Sequence, residues 1–485
     1  MRRFVHAIVM LGISTATAAA IPTTAPAPAP GPATMQAVTS PAWWTKRAAI
    51  DAAAITDPRL LARLADAQAR VGDAGAWRKS LDLAERGAAQ IPDAKKQCEA
   101  YLAVAEVCAA TGERNGYLRC IKAARRYLEQ STDIVERSTT SQFIAVAQAA
   151  AGDTEGWNAT VQEIANLHFR ADICIAVAQT LVAAGDKKQY QQAAQLGQQA
   201  AAALNEPMAT SMLLRGFVAV HAKAGDFEAA GALADSIREP TWKAMAYASI
   251  ADEQIKAADL EGAKKTIAKA EAVPLGQMVW GEMELLMSLA ALEDAAGNKP
   301  ASDQLLKSAH ERADAYINSL KKAVAHVELA ATQLRLGDKA GAAESIKSAE
   351  ASRATMPSTR PVELDLLPGK YSALAMAQAA SGDLAAARAT AKAISQPELR
   401  LIAYAGIARE LAAASRFDAA VSLIGEMRGP ETRLAVVRAI AARWARSANP
   451  QGLMQWMESL PTPLDRAEAC IEIVLSLLPR SPRQP

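Results

Sequence analysis

From Leu60 the chain sets apolar residues three and four apart (Leu60, Leu61, Leu64, Ala65), breaks at Gly72-Asp73, and resumes the same spacing at Trp77, Leu81 and Ala84. This periodicity predicts two amphipathic helices joined by a tight turn. The unit recurs. Tyr101, Leu102, Ala105 and Val107 precede Gly112, and Tyr117, Cys120, Ile121, Ala124 and Leu128 follow it. A third copy runs from Phe217 to Ile237 around Gly225-Asp226. No alternating strand pattern interrupts the series.

Alignment on the turn gives the register. Clear copies stand at Gly72, Gly112, Gly152, Gly185, Gly225, Gly297, Gly337 and Gly382, each followed by Asp, Glu or Asn. Weaker copies without glycine stand at Ala258-Asp259, Ser415-Arg416 and Ala448-Asn449. The spacings lie between 33 and 45 residues, the period of a solenoid or array. Seven residues before each turn stands alanine, with Val218 as the one departure. A small residue there lets two helices approach closely. Glycine suits the positive φ of a helix C-cap, and the acidic residue after it suits the start of the next helix.

Five residues after the turn the chain uses two dialects. Trp77, Tyr117, Trp157 and Tyr190 are bulky, whereas Ala230, Ala263, Ala342, Ala387 and Ala420 are small. The rings either fill a wider helix gap, the favoured reading, or form an aromatic row on a binding face.

The units resemble tetratricopeptide repeats. The likeness rests on the small residue at 218 or 251, the run Gly225-Asp-Phe-Glu-Ala-Ala230, the 33-residue spacings, and prolines 240, 274, 397 and 430 after second helices. Units near 40 residues and the bulky residue at 77, 117, 157 and 190 depart from that pattern. The expectation is an all-α, right-handed α-solenoid of about eleven antiparallel helical hairpins, with the handedness implied by the resemblance.

Around the array, residues 1–20 read as a signal peptide: Arg2 and Arg3, an apolar run from Phe4 to Ile13, and a small-residue site at Ala18–Ala20. An uncleaved anchor is the alternative, but a spanning helix needs about 20 apolar residues, and His6 and Ser14–Thr17 interrupt this one. The chain is thus expected to be periplasmic or secreted, with no membrane insertion after cleavage. Residues 21–41 form a Pro/Ala-rich disordered linker. Repeats are expected over 42–351 and 370–478. Between them 352–369, with Pro357, Pro361 and Pro368, is a loop or hinge, and 479–485 a disordered tail. The pair Trp43-Trp44 opens a helix that covers the first repeat, with one of the two rings a contact candidate.

Composition narrows the chemistry. With 53 basic and 51 acidic residues, the chain has no long-range pull on nucleic acid or acidic lipid. Phosphate-binding loops, dinucleotide fingerprints, nucleophile elbows and zinc spacings are missing, so no catalytic, cofactor-binding or metal residue is assigned. Histidines 168, 221, 310 and 326 read as packing or surface. Cysteines 98, 108, 120, 174 and 470 are odd in number. Cys108 and Cys120 flank the Gly112 turn; buried free thiols are the favoured reading and a disulfide in an oxidising compartment the alternative.

Function is expected to be non-enzymatic. The tetratricopeptide resemblance implies that the residue three before each turn, or the one six before it, faces a concave groove that takes a protein or peptide partner. The position six before holds Glu106, Val146, Gln179, Ala219, Asp252, Ala291, Ala331, Met376, Arg409 and Ala442. The polar anchors are Glu106, Gln179, Asp252 and Arg409. One alternative is a structural envelope component whose edges self-associate. A further alternative is a glycan-active enzyme on a helical toroid, against which stand 5% aromatic residues and the lack of any catalytic motif.

Overall fold

The structure is a computed structural model. It describes residues 40–53, 55–274, 279–354, 367–424, 427, 430–447 and 449–478. The expected signal peptide, the linker up to residue 39, most of the 352–369 segment and the tail lie outside the described residues. Among those residues there are 24 helices and no strand.

In chain order they are α1 (Pro41–Ala52), α2 (Pro58–Val71), α3 (Ala74–Ala89), α4 (Ala94–Thr111), α5 (Arg114–Gln130) and α6 (Ile134–Ala150). Then follow α7 (Thr154–Gln162), α8 (Leu167–Ala183), α9 (Lys187–Ala202), α10 (Pro207–Lys223), α11 (Phe227–Ser236) and α12 (Pro240–Lys256). Next come α13 (Leu260–Glu271), α14 (Val279–Ala295), α15 (Lys299–Asp314), α16 (Ser319–Arg335), α17 (Lys339–Ala354) and α18 (Leu367–Ala380). Last are α19 (Leu384–Lys392), α20 (Pro397–Ala413), α21 (Phe417–Ser422), α22 (Pro430–Trp444), α23 (Pro450–Ser459) and α24 (Pro463–Leu477). The break between α17 and α18 is shorter than the sequence suggests, because helix claims 352–354 and 367–369.

The chain divides into two compact units: residues 1–147 with 408–485, and residues 148–407. Each is a stack of antiparallel hairpins. In the second unit α8/α9, α10/α11, α12/α13, α14/α15, α16/α17 and α18/α19 pair in this way, and first helices pack on the next first helices. In the first unit α2/α3, α4/α5 and α22/α23 do the same. The fold is all-α, as the periodicity predicts.

The turn works through backbone geometry. At Gly225, φ is 76°, in the left-handed region that glycine enters without penalty. The Gly225 N–H then donates to the Ala222 carbonyl and the Asp226 N–H to the His221 carbonyl, satisfying two carbonyls that the helix end leaves free. Asp226 caps the next helix by accepting from the Ala229 N–H. Ala258 and Ser415 adopt the same positive φ without glycine, so those turns hold left-handed backbone at a steric cost. Ala448 lies outside the described residues.

The row seven before the turn is wholly buried throughout, from Ala65 to Ala441. The bulky row is buried too: Trp77, Tyr117, Trp157 and Tyr190 fill helix gaps, as the packing reading expects. Two further devices hold each hairpin. Four before the turn, a buried glutamine accepts from a hydroxyl twelve residues later: Ser80 to Gln68, Thr160 to Gln148, Thr266 to Gln254 and Ser345 to Gln333, each at 2.8 Å. The glutamine amide also reaches the capping carboxylate, from Gln254 to Asp259 at 3.4 Å and from Gln333 to Asp338 at 3.3 Å. Gly262 makes room for this, since a Cβ there would stand 2.6 Å from Gln254 Nε2. Fifteen before the turn, a donor satisfies carbonyls at the end of the preceding helix. Arg170 donates to the Ile164 and Gln162 carbonyls, Gln97 to those of Ala89 and Ile91, and Lys322 to that of Asp314.

The first unit contains one pair that no turn connects. Helix α24 has the register of a first helix: Pro463 opens it, Arg466 donates to the Leu460 carbonyl, and Val474 takes the buried small-residue position. Helix α1 has the register of a second helix in the bulky dialect: Ser40 caps it by accepting from Trp43 N–H, and buried Trp44 stands where Trp77 stands in α3. These two helices pack on each other as a hairpin drawn from opposite ends of the sequence, and both also pack on α2. Trp44 is therefore core, and Trp43 is half-buried with its ring edge-on to Trp44 at 4.8 Å.

Candidate functional site

The four sequence-predicted residues fall on first helices, as the register requires: Glu106 on α4, Gln179 on α8, Asp252 on α12 and Arg409 on α20. All four are exposed, each next to a wholly buried alanine on its N-terminal side. The wall of a hairpin thus fixes one position while leaving its neighbour free to vary. Asp252 is engaged on its own helix, with Lys256 Nζ 2.7 Å from Oδ2. At the same register, Val146, Ala219, Ala291, Met376 and Ala442 are half-buried and Ala331 is buried. Counting from Gly72, the position also falls on Asp66, which the sequence reading passes over. Asp66 is buried and pairs with Arg70 at 2.8 Å.

A cleft of the second unit lies elsewhere, between successive second helices. It has a volume of about 670 Å³ and runs between α15 and α17, over the turn at Gly337. Lys299, Asp303, Lys307, His310 and Glu311 line it from α15 and Glu344 from α17, so its charge is mixed.

Beside this cleft, polar groups converge. His326 is wholly buried on α16, its ring edge-on to His310 at 5.2 Å. Its Nε2 stands 3.3 Å from Asp314 Oδ1, and Lys322 Nζ stands 2.9 Å from the same oxygen. Burial pushes the pKa of His326 below its usual value; Asp314 opposes that shift, and His310 and Lys322 reinforce it. Burial would raise the Asp314 carboxyl, but Lys322 and the two imidazoles outweigh it and hold the carboxyl below the usual range.

Ser345 Oγ lies 3.5 Å from His310 Nδ1, and His310 Nε2 lies 3.5 Å from Asp314 Oδ2. The order Ser–His–Asp imitates a nucleophilic triad, but the hydrogen bonding differs. Ser345 is wholly buried and donates its proton to Gln333 Oε1 at 2.8 Å. Its register position is that of Thr160 and Thr266, which make the same bond in other hairpins. Ser345 is a helix-joining residue by that standard. The carboxylate between the two imidazoles already holds the Lys322 ammonium, and among the described residues no group of three or more His, Cys, Asp or Glu is arranged to hold a metal ion.

The buried glutamine row escapes a hydropathy reading, because glutamine at an amphipathic boundary counts as surface. Its signal is positional: Gln68, Gln148, Gln254, Gln333 and Gln378 all stand four before a turn.

No helix among the described residues is long and apolar enough to cross a membrane. Comparison with family models finds no match, and none of the curated proteins matches either. Among solved structures, the crystal structure of Ton1535 from Thermococcus onnurineus NA1 aligns over 70% of this chain and 98% of its own, at 16% identity and a TM-score of 0.24.

Proposed function

We propose that this chain is an exported, non-enzymatic scaffold that binds a protein or peptide partner along the exposed faces of its first helices. One observation carries the reading. The position seven before the turn is alanine in nearly every hairpin and wholly buried, while the next residue is free to be Glu, Gln, Asp or Arg. A frame that repeats while its adjacent surface varies presents a row of side chains at regular spacing, which suits an extended or multi-point partner. Glu106 and Arg409 supply this row in the first unit, Gln179 and Asp252 in the second. The Ser345–His310–Asp314 arrangement offers no nucleophile, since its serine proton is committed to Gln333. Self-association through open ends has little support, because α1 covers α24 and α2.

The test is photo-crosslinking in the cell envelope, with the crosslinking residue placed at Gln179 or Asp252 and, as a control, at exposed Lys264 on second helix α13. The scaffold reading predicts one recurring attached protein from 179 and 252 and none from 264. Equal labelling from all three sites would reject the first-helix face.

A further inference from the structure

Two cysteines occupy the positions that elsewhere hold a hydrogen-bonded pair. Cys108 stands four before the Gly112 turn and Cys120 eight after it. Those are the positions of Gln68 and Ser80, Gln148 and Thr160, Gln254 and Thr266, and Gln333 and Ser345, whose side chains meet at 2.8 Å. Both cysteines are wholly buried. On α5, one turn before Cys120, stands Gly116, where an added Cβ would stand 2.9 Å from Cys108 Sγ. The missing Cβ lets α4 and α5 close on each other at the level of the Cys108 sulfur. A disulfide needs Cα atoms within about 7 Å, and a glycine-lined crossing is where two helices come that near.

All five cysteines are buried free thiols in this structure, as the favoured sequence reading expects. We propose that under oxidising conditions Cys108 and Cys120 close into a disulfide that staples the second hairpin, replacing the glutamine–hydroxyl bond of its relatives with a covalent one. The other cysteines are placed differently. Cys98 lies ten residues before Cys108 on the same helix, about 15 Å along its axis. Cys174 and Cys470 belong to α8 and α24.

The oxidant is an external low-molecular-weight disulfide such as oxidised glutathione. One protein thiolate attacks it, forming a mixed disulfide and expelling one glutathione thiolate. The second protein thiolate then displaces the other glutathione, leaving the Cys108–Cys120 bond, two reduced glutathiones and two protons passed between solvent and the departing thiolates. A side-chain hydrogen bond with Cys108, and then burial, raise the Cys120 thiol well above its ordinary pKa, with Arg119 opposing. The folded, reduced hairpin therefore presents little thiolate, and the bond forms during folding, before the helices close.

The full chain, unfolded in reductant, is refolded in a glutathione redox buffer, its remaining thiols are alkylated under denaturing conditions, and its peptides are weighed. The expected product links Cys108 to Cys120, with Cys98, Cys174 and Cys470 alkylated. Its unfolding midpoint falls when it is refolded in reductant instead. The double variant Cys108→Gln with Cys120→Ser restores the pair used by the other hairpins; it folds to the same helix content and shows no shift with reductant. Alkylation of all five cysteines in the refolded wild-type chain, or a link that uses Cys98, overturns the proposal.

Discussion

Two helix pairs with the same register are held by different forces. In the second unit, α16 and α17 are joined by the turn at Gly337, capped by Asp338, and locked by the buried Gln333–Ser345 bond beside wholly buried Ala330. In the first unit, α24 and α1 have the same relation with no turn between them. There, ion pairs surround the two helices: one crosses directly between them, and others tie them to α22, α23 and α2. Arg433 meets wholly buried Asp465 with Nε 2.8 Å from both carboxylate oxygens. Arg466 reaches buried Asp51 at 3.1 Å, and Arg47 holds Asp51 at 3.0 Å and Glu458 at 3.2 Å. Arg63 on α2 pairs with Glu468 and, at 2.6 Å, with Glu472, while Arg70 donates to the Leu478 carbonyl at 2.7 Å.

A covalent turn sets register without any help from side chains. Where no turn exists, side chains must set it. Buried ion pairs lose much of their attraction to desolvation, but a charge left without its partner is costly. They therefore penalise wrong registers more than they stabilise the right one. Small residues and a neutral buried hydrogen bond thus suffice where the chain itself aligns two helices, and buried guanidinium–carboxylate pairs gather where it does not.

The largest expected effect is beside the α1–α24 seam, where α24 meets α22. Asp465→Ala leaves the Arg433 guanidinium facing an uncharged, buried gap and removes the acceptor of the Thr462 hydroxyl. It should cost about 3 kcal/mol, read from urea unfolding of the first unit. Overpacking an interior hairpin comes next. Ala251→Leu in the second unit forces α12 off its neighbours and should cost about 2 kcal/mol by the same measurement.

The glutamine lock gives a sharper contrast. Ser345→Ala strands the Gln333 carbonyl and should cost about 1–2 kcal/mol. Gln333→Leu with Ser345→Ala, which removes both partners, should cost less than the single change. A larger loss in the double variant would refute the lock.

A pH effect follows from His326. Its folded pKa lies below the unfolded value of about 6.5, so the neutral ring contributes stability that is complete above pH 6.5 and is lost as pH falls toward the depressed folded value. His326→Gln should flatten that slope between pH 7.5 and 5.5 in urea midpoints. The facing groups are His310, Asp314 and Lys322, and buried His221, also depressed chiefly by burial, keeps its own slope. The smallest effect belongs to the surface. Asp252→Ala breaks only an exposed contact with Lys256 and should change stability by less than about 0.5 kcal/mol, so any loss of partner binding is not an unfolding artefact.

The hairpin series was legible because its signals are local. A glycine at positive φ, an acid after it and an alanine seven before it all act within twenty residues. The exposed positions 106, 179, 252 and 409 followed from that register. The α1–α24 pair was not legible as a contact, because nothing local says that Ser40 to Trp44 completes a hairpin begun at Pro463. Its signal lay in the register itself: Ser40-Pro-Ala-Trp-Trp44 repeats the cap-to-ring spacing of Asp73 to Trp77. The seam's carboxylates read as ordinary surface charge, since burial of Asp51, Asp465 and Glu468 depends on the helix that covers them.

Helix α1 completes the hairpin of α24, so each should protect the amides of the other. Hydrogen–deuterium exchange tests it most directly, comparing the full chain with one lacking residues 1–52. Loss of amide protection in α24, with α12 and α13 unchanged, is the predicted result. Unchanged protection across α24 in the shortened chain would contradict the account.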